Sequence, residues 1–144
     1  MGEAGEFSSA ALAEVEKPLD LSTVVPTRTQ LLDPVNLEKL EPIFTEDKQD
    51  DLDPIVIIKD PDTGELLLHD GNNRLALAIK HNKQIPYHIY SVGDVHKDSV
   101  GELPIDEMLL KITRISRRKA KERGFNNFGE FLEKSLKQPS KPTK

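Results

Sequence analysis

The chain has 144 residues, of which 36% are hydrophobic and 31% charged, so it is long enough for one small domain with a modest core. It contains no cysteine, which excludes disulfides, thiolate catalysis and cysteine-ligated zinc. The net charge of −5 is unevenly distributed: residues 105–144 hold 11 Lys and Arg against 5 Asp and Glu, a net +6, whereas residues 1–104 carry −11. A protein that coats DNA with its whole surface is therefore excluded, and a nucleic-acid partner would meet a local site or the basic C-terminal part.

Composition along the chain predicts four parts. Residues 1–18 carry acids and no basic n-region, so they are expected to be a disordered or loosely attached tail, not a secretory signal. A folded domain at 19–100, a helical extension at 101–137 and a disordered tail at 138–144 follow. No apolar run approaches the roughly 20 residues of a membrane span, so we expect a cytoplasmic protein without a membrane partner. The pattern does not indicate an oligomeric state.

The first third of the domain predicts a strand, a helix and a loop. The β-branched run Leu21–Val25 is typical of a short strand. Asp33 and Pro34 predict a helix start, because Asp caps free amides and Pro suits the first helical position. A helix of about ten residues is predicted from apolar residues near helical spacing: Leu37, Leu40 and Phe44. Thr45–Asp53 is polar and predicts a loop.

The middle of the chain predicts a hairpin followed by a helix and a strand. Pro54–Asp60 is almost continuously apolar, which favours a strand covered on both faces. Pro61–Gly64 has turn chemistry, and Gly64–Asp70 predicts the second strand of the hairpin. Arg74–Asn82 predicts a helix, and Gln84–Val92 another strand.

The C-terminal part predicts two helices. Ile105–Arg123 is amphipathic and ends at Gly124, and Asn126–Leu136 forms a shorter helix. Several cations on the first helix are candidates for nucleic-acid binding: Arg114, Arg117, Arg118 and Lys121. The alternatives are that this helix packs on the domain with its basic face in water, or that the helices meet a protein partner. The predicted fold class is α/β (α+β), with a small mixed sheet, helices and a C-terminal helical extension.

The segment Asp70-Gly71-Asn72-Asn73-Arg74, called here the Asp70–Arg74 box, joins a predicted strand directly to a helix. Free amides and the dipole at such a helix start favour an anion, and Gly71 would let a phosphate approach the backbone. Asn72 and Asn73 offer amide donors, and Arg74 matches a phosphate bidentately. Asp70 would orient the arginine, hold a metal or act as a base. The box therefore predicts a phosphate site, with a capped helix after a tight turn as the alternative.

Val24–Tyr90 resembles the ParB/sulfiredoxin superfamily. The resemblance is carried in order by "LLDPVNLEKLEPI", by "LDPIVIIKDPDTGELLLHDGNNRLALAI" with its Gly-x-x-Arg signature, and by "QIPYHIY". It implies a ParB/sulfiredoxin-like fold in which the box binds nucleotide phosphates or takes part in phosphoryl chemistry.

The chain departs from two branches of that superfamily. Sulfiredoxins have Cys and His where this chain has Asn72 and Asn73, so reduction of a peroxiredoxin sulfinic acid is not expected. Chromosome-partitioning members have Glu and a second Arg there, which help to bind CTP; this chain has neither, so the CTP-clamp function is not expected. The remaining Asp70, Gly71 and Arg74 resemble the ParB-like nuclease and small-molecule kinase branches.

Four further residues are candidates for the predicted site. His69 precedes the box and points into the site mouth or into solvent, with a catalytic role as one interpretation. Related kinases keep a general-base Glu near Glu38 and Glu41, and relatives place nucleotide-contacting residues near Arg28. The leading hypothesis is an enzyme for phosphodiester cleavage or phosphoryl transfer, with catalytic Asp70, Arg74, His69 and Glu38. Its cofactors are unidentified, with Mg²⁺ and a nucleotide as candidates, and the alternative is a non-catalytic DNA- or protein-binding module.

Overall fold

The structure, a computed structural model, describes residues 19–137; the tails predicted at 1–18 and 138–144 lie outside this range. The described part has four α-helices, five strands and two 3-10 turns. The helices are α1 (Pro34–Thr45), α2 (Asn72–Lys80), α3 (Glu107–Glu122) and α4 (Phe128–Lys137). The strands are β1 (Ile55–Lys59), β2 (Leu66–Asp70), β3 (Tyr87–Tyr90), β4 (Val95–Lys97) and β5 (Glu102–Pro104), and the turns are Leu21–Thr23 and Gln49–Asp51. The predicted mixed α+β class with C-terminal helices is confirmed.

The main sheet has three strands in the order β2-β1-β3. β1 and β2 form the predicted antiparallel hairpin, with Ile58 opposite Leu67. β1 and β3 run parallel, with Ile57 opposite Ile89, and α2 is the crossover between β2 and β3. As the central strand, β1 is buried over its first four residues, which explains its almost continuous apolar run.

The strand predicted at Leu21–Val25 is wrong over most of its length. Leu21–Thr23 is a 3-10 turn, because the Asp20 carboxylate accepts a hydrogen bond from Ser22 N at 3.1 Å and stabilises a turn instead of an extended chain. Only Val25 pairs with the sheet, through a single parallel bridge to Leu67. The chain therefore crosses the outer edge of β2 at one point before it enters the loop that leads to α1.

Strands β4 and β5 form a separate hairpin that the sequence analysis did not predict. They are three residues each and mostly exposed, so they lack the apolar alternation that marks a strand. The Asp98 carboxylate orders their connection by accepting hydrogen bonds from Val100 N and Gly101 N, at 2.9 and 3.0 Å. The domain boundary predicted at 100/101 falls within this connection.

The larger core lies between the sheet, α1, α2 and α4. Side chains of α2 pack against Ile55, Ile57 and Leu68 of the sheet. The α4 region contributes three phenylalanines, of which Phe128 and Phe131 have ring centroids 5.2 Å apart. A smaller cluster, which includes Ile58, Leu67, Ile105 and Leu110, covers the other face of the β1–β2 hairpin. The C-terminal helices therefore share their cores with the predicted domain. Within residues 19–137, no helix is both long enough and apolar enough to cross a membrane.

Candidate functional site

The Asp70–Arg74 box forms a tight turn between β2 and α2. Gly71 takes φ +108° and ψ 32°, a left-handed conformation that favours glycine. A Cβ on Gly71 would overlap Ile55 Cγ2 and would lie 2.8 Å from Ile55 Cβ. The missing side chain therefore lets the turn pack on β1, so Gly71 serves the fold at this point and not the close approach of a ligand.

The start of α2 presents free backbone amides. The first hydrogen bond of the helix runs from Leu75 N to Gly71 O at 2.9 Å, and Gly71 has no side chain to cap the amides that precede Leu75. These amides lie at the positive end of the helix dipole. Backbone donors are therefore present after Gly71, and binding of an anion to them stays a prediction.

Arg74 has a different role from the predicted phosphate fork. Its Nη1 donates to Asp53 O at 2.6 Å, and its Nη2 lies 3.4 Å from Asp70 Oδ2. The side chain is only 18% exposed. Most of the guanidinium is therefore used to hold the segment before β1 against the start of α2. Asp70 orients the arginine, which is one of the three roles considered for it.

Two clefts flank the start of α2. The first, called here the Lys119 cleft, has a volume of about 510 Å³ and is lined by Thr27, Arg28, Thr29, Gln30, His69, Asn72, Ser116 and Lys119. The second, the Arg74 cleft, has about 430 Å³ and is lined by Arg28, Leu40, Leu52, Asp53, Asp70, Gly71, Asn72, Asn73 and Arg74. Arg28 and Asn72 belong to both. The clefts therefore meet at the first residue of α2.

The two clefts differ in charge. The described lining of the Lys119 cleft has two permanent cations, Arg28 and Lys119, and no carboxylate. The Arg74 cleft has two arginines, but Asp53 and Asp70 balance them. An anion is therefore favoured in the Lys119 cleft, next to the position that the sequence predicted.

The predicted site residues Arg28, His69 and Asn72 come together in the Lys119 cleft. Arg28 is held by its own loop, because its Nε donates to Gln30 O at 2.8 Å. Sequence reasoning missed Ser116 and Lys119 as site residues. The only signal was the cluster of cations in Ile105–Arg123, and nothing local indicates that this helix returns to the start of α2.

The general-base role considered for Glu38 and Glu41 is not supported. Glu38 is exposed on α1 and lines neither cleft. Glu41 binds the far end of α2, since its carboxylate lies 2.9 Å from Lys80 Nζ and 2.7 Å from His81 Nε2. The hydrogen bond from Lys80 lowers the pKa of Glu41, although burial opposes this shift. A carboxylate with a lowered pKa and two partners is a weak base.

The prediction that Arg114 and Arg117 contact nucleic acid is corrected, because other groups of the protein already bind both side chains. Arg114 pairs with Asp60, with Nη2–Oδ1 at 2.7 Å, and with Asp62 at 2.7 Å. Arg117 is buried, and its guanidinium donates to Phe125 O at 2.7 Å and Asn126 O at 2.9 Å. Carboxylates and carbonyls occupy both arginines, so neither offers a free cation.

Arg118 and Lys121 remain exposed on α3. They line a cleft of about 330 Å³ that also contains Asp60, Asp62 and Glu65. These carboxylates weaken the attraction of this cleft for a phosphate backbone.

The metal considered for Asp70 lacks a ligand set in the described part of the chain. Within residues 19–137, no group of three or more His, Asp or Glu side chains is arranged to hold a metal ion.

Comparison of the chain with protein-family models, with curated proteins and with solved structures gives no match. The resemblance to the ParB/sulfiredoxin superfamily accordingly stays a prediction.

Proposed function

We propose that this chain binds a phosphate-bearing ligand, a nucleotide or a nucleic-acid phosphate, in the Lys119 cleft. One observation carries the proposal: Arg28 and Lys119, from distant segments, line one cleft with Asn72, the first residue of α2, and the described lining of this cleft has no carboxylate. Cations and a helix start act together on an anion, because the dipole and the side chains both contribute positive potential.

The other lining residues supply neutral donors. The hydroxyls of Thr27, Thr29 and Ser116 and the amide of Asn72 surround the same space. Thr27 is partly committed, because its Oγ1 donates to Leu68 O at 2.5 Å. A volume of about 510 Å³ is within the range of small-molecule sites.

The neighbouring Arg74 cleft favours a nucleotide over an extended nucleic acid. Its carboxylates, Asp53 and Asp70, accept hydrogen bonds from hydroxyl or amino groups such as those of a sugar or a base. The same carboxylates repel a second phosphate. A ligand with its phosphates against Lys119 and its sugar and base toward Asp70 would pair with the cations of one cleft and donate hydrogen bonds to the carboxylates of the other.

Phosphodiester cleavage or phosphoryl transfer is a second candidate function. It is favoured by His69, an exposed imidazole that lines the Lys119 cleft beside Asn72. Of the general-base candidates His69, Glu38 and Glu41, only His69 lies there, so catalysis would depend on it.

The proposal is tested by removing one charge from the cleft. We expect Lys119→Gln to raise the Kd for ATP, measured by titration calorimetry, by about ten- to a hundredfold, because a hydrogen bond to a charged group contributes about 1.5–3 kcal/mol. Lys111→Gln removes the same charge from an exposed position of α3 outside the cleft and should leave the Kd within about twofold of wild type.

Two results would contradict the proposal. One is an equal increase of the Kd in both lysine variants, which would mean that the net charge of the protein, and not the position of Lys119, determines the affinity. The other is a wild-type chain that binds none of ATP, CTP or inorganic pyrophosphate at millimolar concentration.

A further inference from the structure

The outward face of α3 carries an apolar stripe. Met108, Ile112 and Ile115 are 63%, 52% and 39% exposed. Their spacing of four and three residues places them on one side of the helix, in the pattern of a helix–helix seam. The opposite side already contributes Leu110 and Ala120 to the protein's own cores. The stripe is therefore a second apolar face, which the fold of residues 19–137 does not bury.

Unpaired cations border the stripe. Lys111 and Arg118 are seven residues apart, so they lie on the same flank of it, and both are exposed. Neither forms an ion pair within residues 19–137, whereas Arg114 and Arg117 on the same helix do. Two of the cations of α3 that form no ion pair within residues 19–137 are thus aligned along the exposed apolar turns of the helix.

We propose that this face, named here the α3 stripe (Met108, Lys111, Ile112, Ile115 and Arg118), binds an acidic amphipathic helix of a partner protein. Such a helix would cover the three apolar side chains with its own apolar seam. Its Glu or Asp residues, beside that seam, would pair with Lys111 and Arg118. This inference does not depend on phosphate binding, because none of the five residues lines the Lys119 cleft.

The chemistry of the α3 stripe distinguishes this partner from two others. A nucleic acid would satisfy Lys111 and Arg118 but would leave Met108, Ile112 and Ile115 against a polar backbone. A second copy of α3 would cover the apolar side chains but would bring more cations and not the missing carboxylates. Only an acidic amphipathic segment complements both features.

The test uses two synthetic helical peptides of 21 residues with leucine at the heptad core positions. One has Glu at the flanking positions and the other has Lys. We expect the full chain to bind the Glu peptide at least tenfold more tightly than the Lys peptide in fluorescence anisotropy. The double variant Lys111→Glu with Arg118→Glu should reverse this preference.

A second substitution tests the apolar contact. Ile112→Ser should weaken binding of the Glu peptide at least tenfold without changing the thermal unfolding midpoint, since Ile112 is exposed. Val35→Ser, which alters a comparably exposed aliphatic residue on α1, should leave peptide binding unchanged.

Three outcomes would overturn the inference. Equal affinity for the two peptides would remove the charge argument. A wild-type dimer in analytical ultracentrifugation that Ile112→Ser converts to a monomer would assign the face to a second copy. Competition by a 20-base-pair DNA duplex whose affinity falls in the charge-reversed variant but not in Ile112→Ser would assign it to nucleic acid.

Discussion

The residues of the Asp70–Arg74 box divide between the fold and the proposed site. Gly71 and Arg74, which look most like phosphate ligands in the sequence, have structural contacts: Gly71 packs on Ile55, and Arg74 binds Asp53 O. Asn72 lies where both clefts meet. The same residue types that form a phosphate site thus also form a strand–helix turn, and only their partners distinguish the two uses.

Replacement of Gly71 tests this division. We expect Gly71→Ala to reduce the free energy of unfolding by about 2–4 kcal/mol, because the added Cβ strains a positive φ and overlaps Ile55. Gly64→Ala is the matched control: its φ is also positive, +77°, but nothing lies within 4 Å of an added Cβ, so a loss of about 1 kcal/mol is expected. Urea denaturation measures both. Equal losses would mean that Ile55 yields and that close packing does not require this glycine.

At the scale of elements, α3 connects three parts of the molecule. Its inner side packs on β2, its arginines bind the hairpin turn and the α3–α4 connection, and its Lys119 lines the cleft at the start of α2. The α3–α4 connection turns at Gly124, which has φ +86°, so that α4 returns to the main core. The position of Lys119 therefore depends on contacts made elsewhere along the same helix.

Arg117 is buried, and its contacts give a prediction at the scale of elements. Arg117→Met should lower the free energy of unfolding by about 3 kcal/mol, because it leaves Phe125 O, Asn126 O and the Glu65 carboxylate without their donor. Arg118→Met, one position along and exposed, should change it by less than about 0.5 kcal/mol. Chemical denaturation followed by circular dichroism provides both values, and similar losses in the two variants would refute the structural role of Arg117.

At the scale of the whole molecule, the acidic body and the basic C-terminal part meet at internal ion pairs. Arg114 binds Asp60 and Asp62, and Arg117 lies 3.3 Å from Glu65. These pairs join α3 to the turn of the β1–β2 hairpin. The opposite charges of the two parts of the sequence are thus partly used to hold the fold together.

The Asp60–Arg114 pair is expected to make the free energy of unfolding depend on pH under acidic conditions. Hydrogen bonds from Arg114, opposed by burial and aided by Asp62 N, lower the pKa of Asp60 from 3.8 to about 2. A lowered pKa in the folded state means that the pair stabilises the protein fully above about pH 4 and that this contribution disappears as the pH falls toward 2. The contribution is on the order of 2 kcal/mol, since one pKa unit corresponds to about 1.4 kcal/mol.

Urea denaturation between pH 2 and pH 6 measures this effect. The difference in unfolding free energy between wild type and Asp60→Asn should be largest above pH 5 and should vanish near pH 2. Asp62→Asn, at an exposed carboxylate that also pairs with Arg114, should show a smaller difference. A pH-independent difference for Asp60→Asn would show that the lost interaction is not the ionised pair.

Local signals in the sequence determined much of the fold. The start of α1 follows from Asp33, whose carboxylate accepts from Val35 N at 3.0 Å, and from the Pro after it. The β1–β2 hairpin, α2 and the amphipathic α3 follow from turn residues and apolar periodicity. Each of these elements depends on contacts between residues close in sequence or on burial of one face, so each can be predicted from the sequence alone. The same holds for the free amides after Gly71.

Only the tertiary structure decided which cations are free and where they lie. Arg114, Arg117 and Lys119 have the same charge and adjacent places on one helix, yet two bind the protein and one lines a cleft. The misread strand at Leu21–Val25 and the unpredicted β4–β5 hairpin have the same origin, because short segments take their conformation from partners far along the chain. Charge and propensity are properties of a residue, whereas pairing and exposure depend on what the folded chain brings beside it.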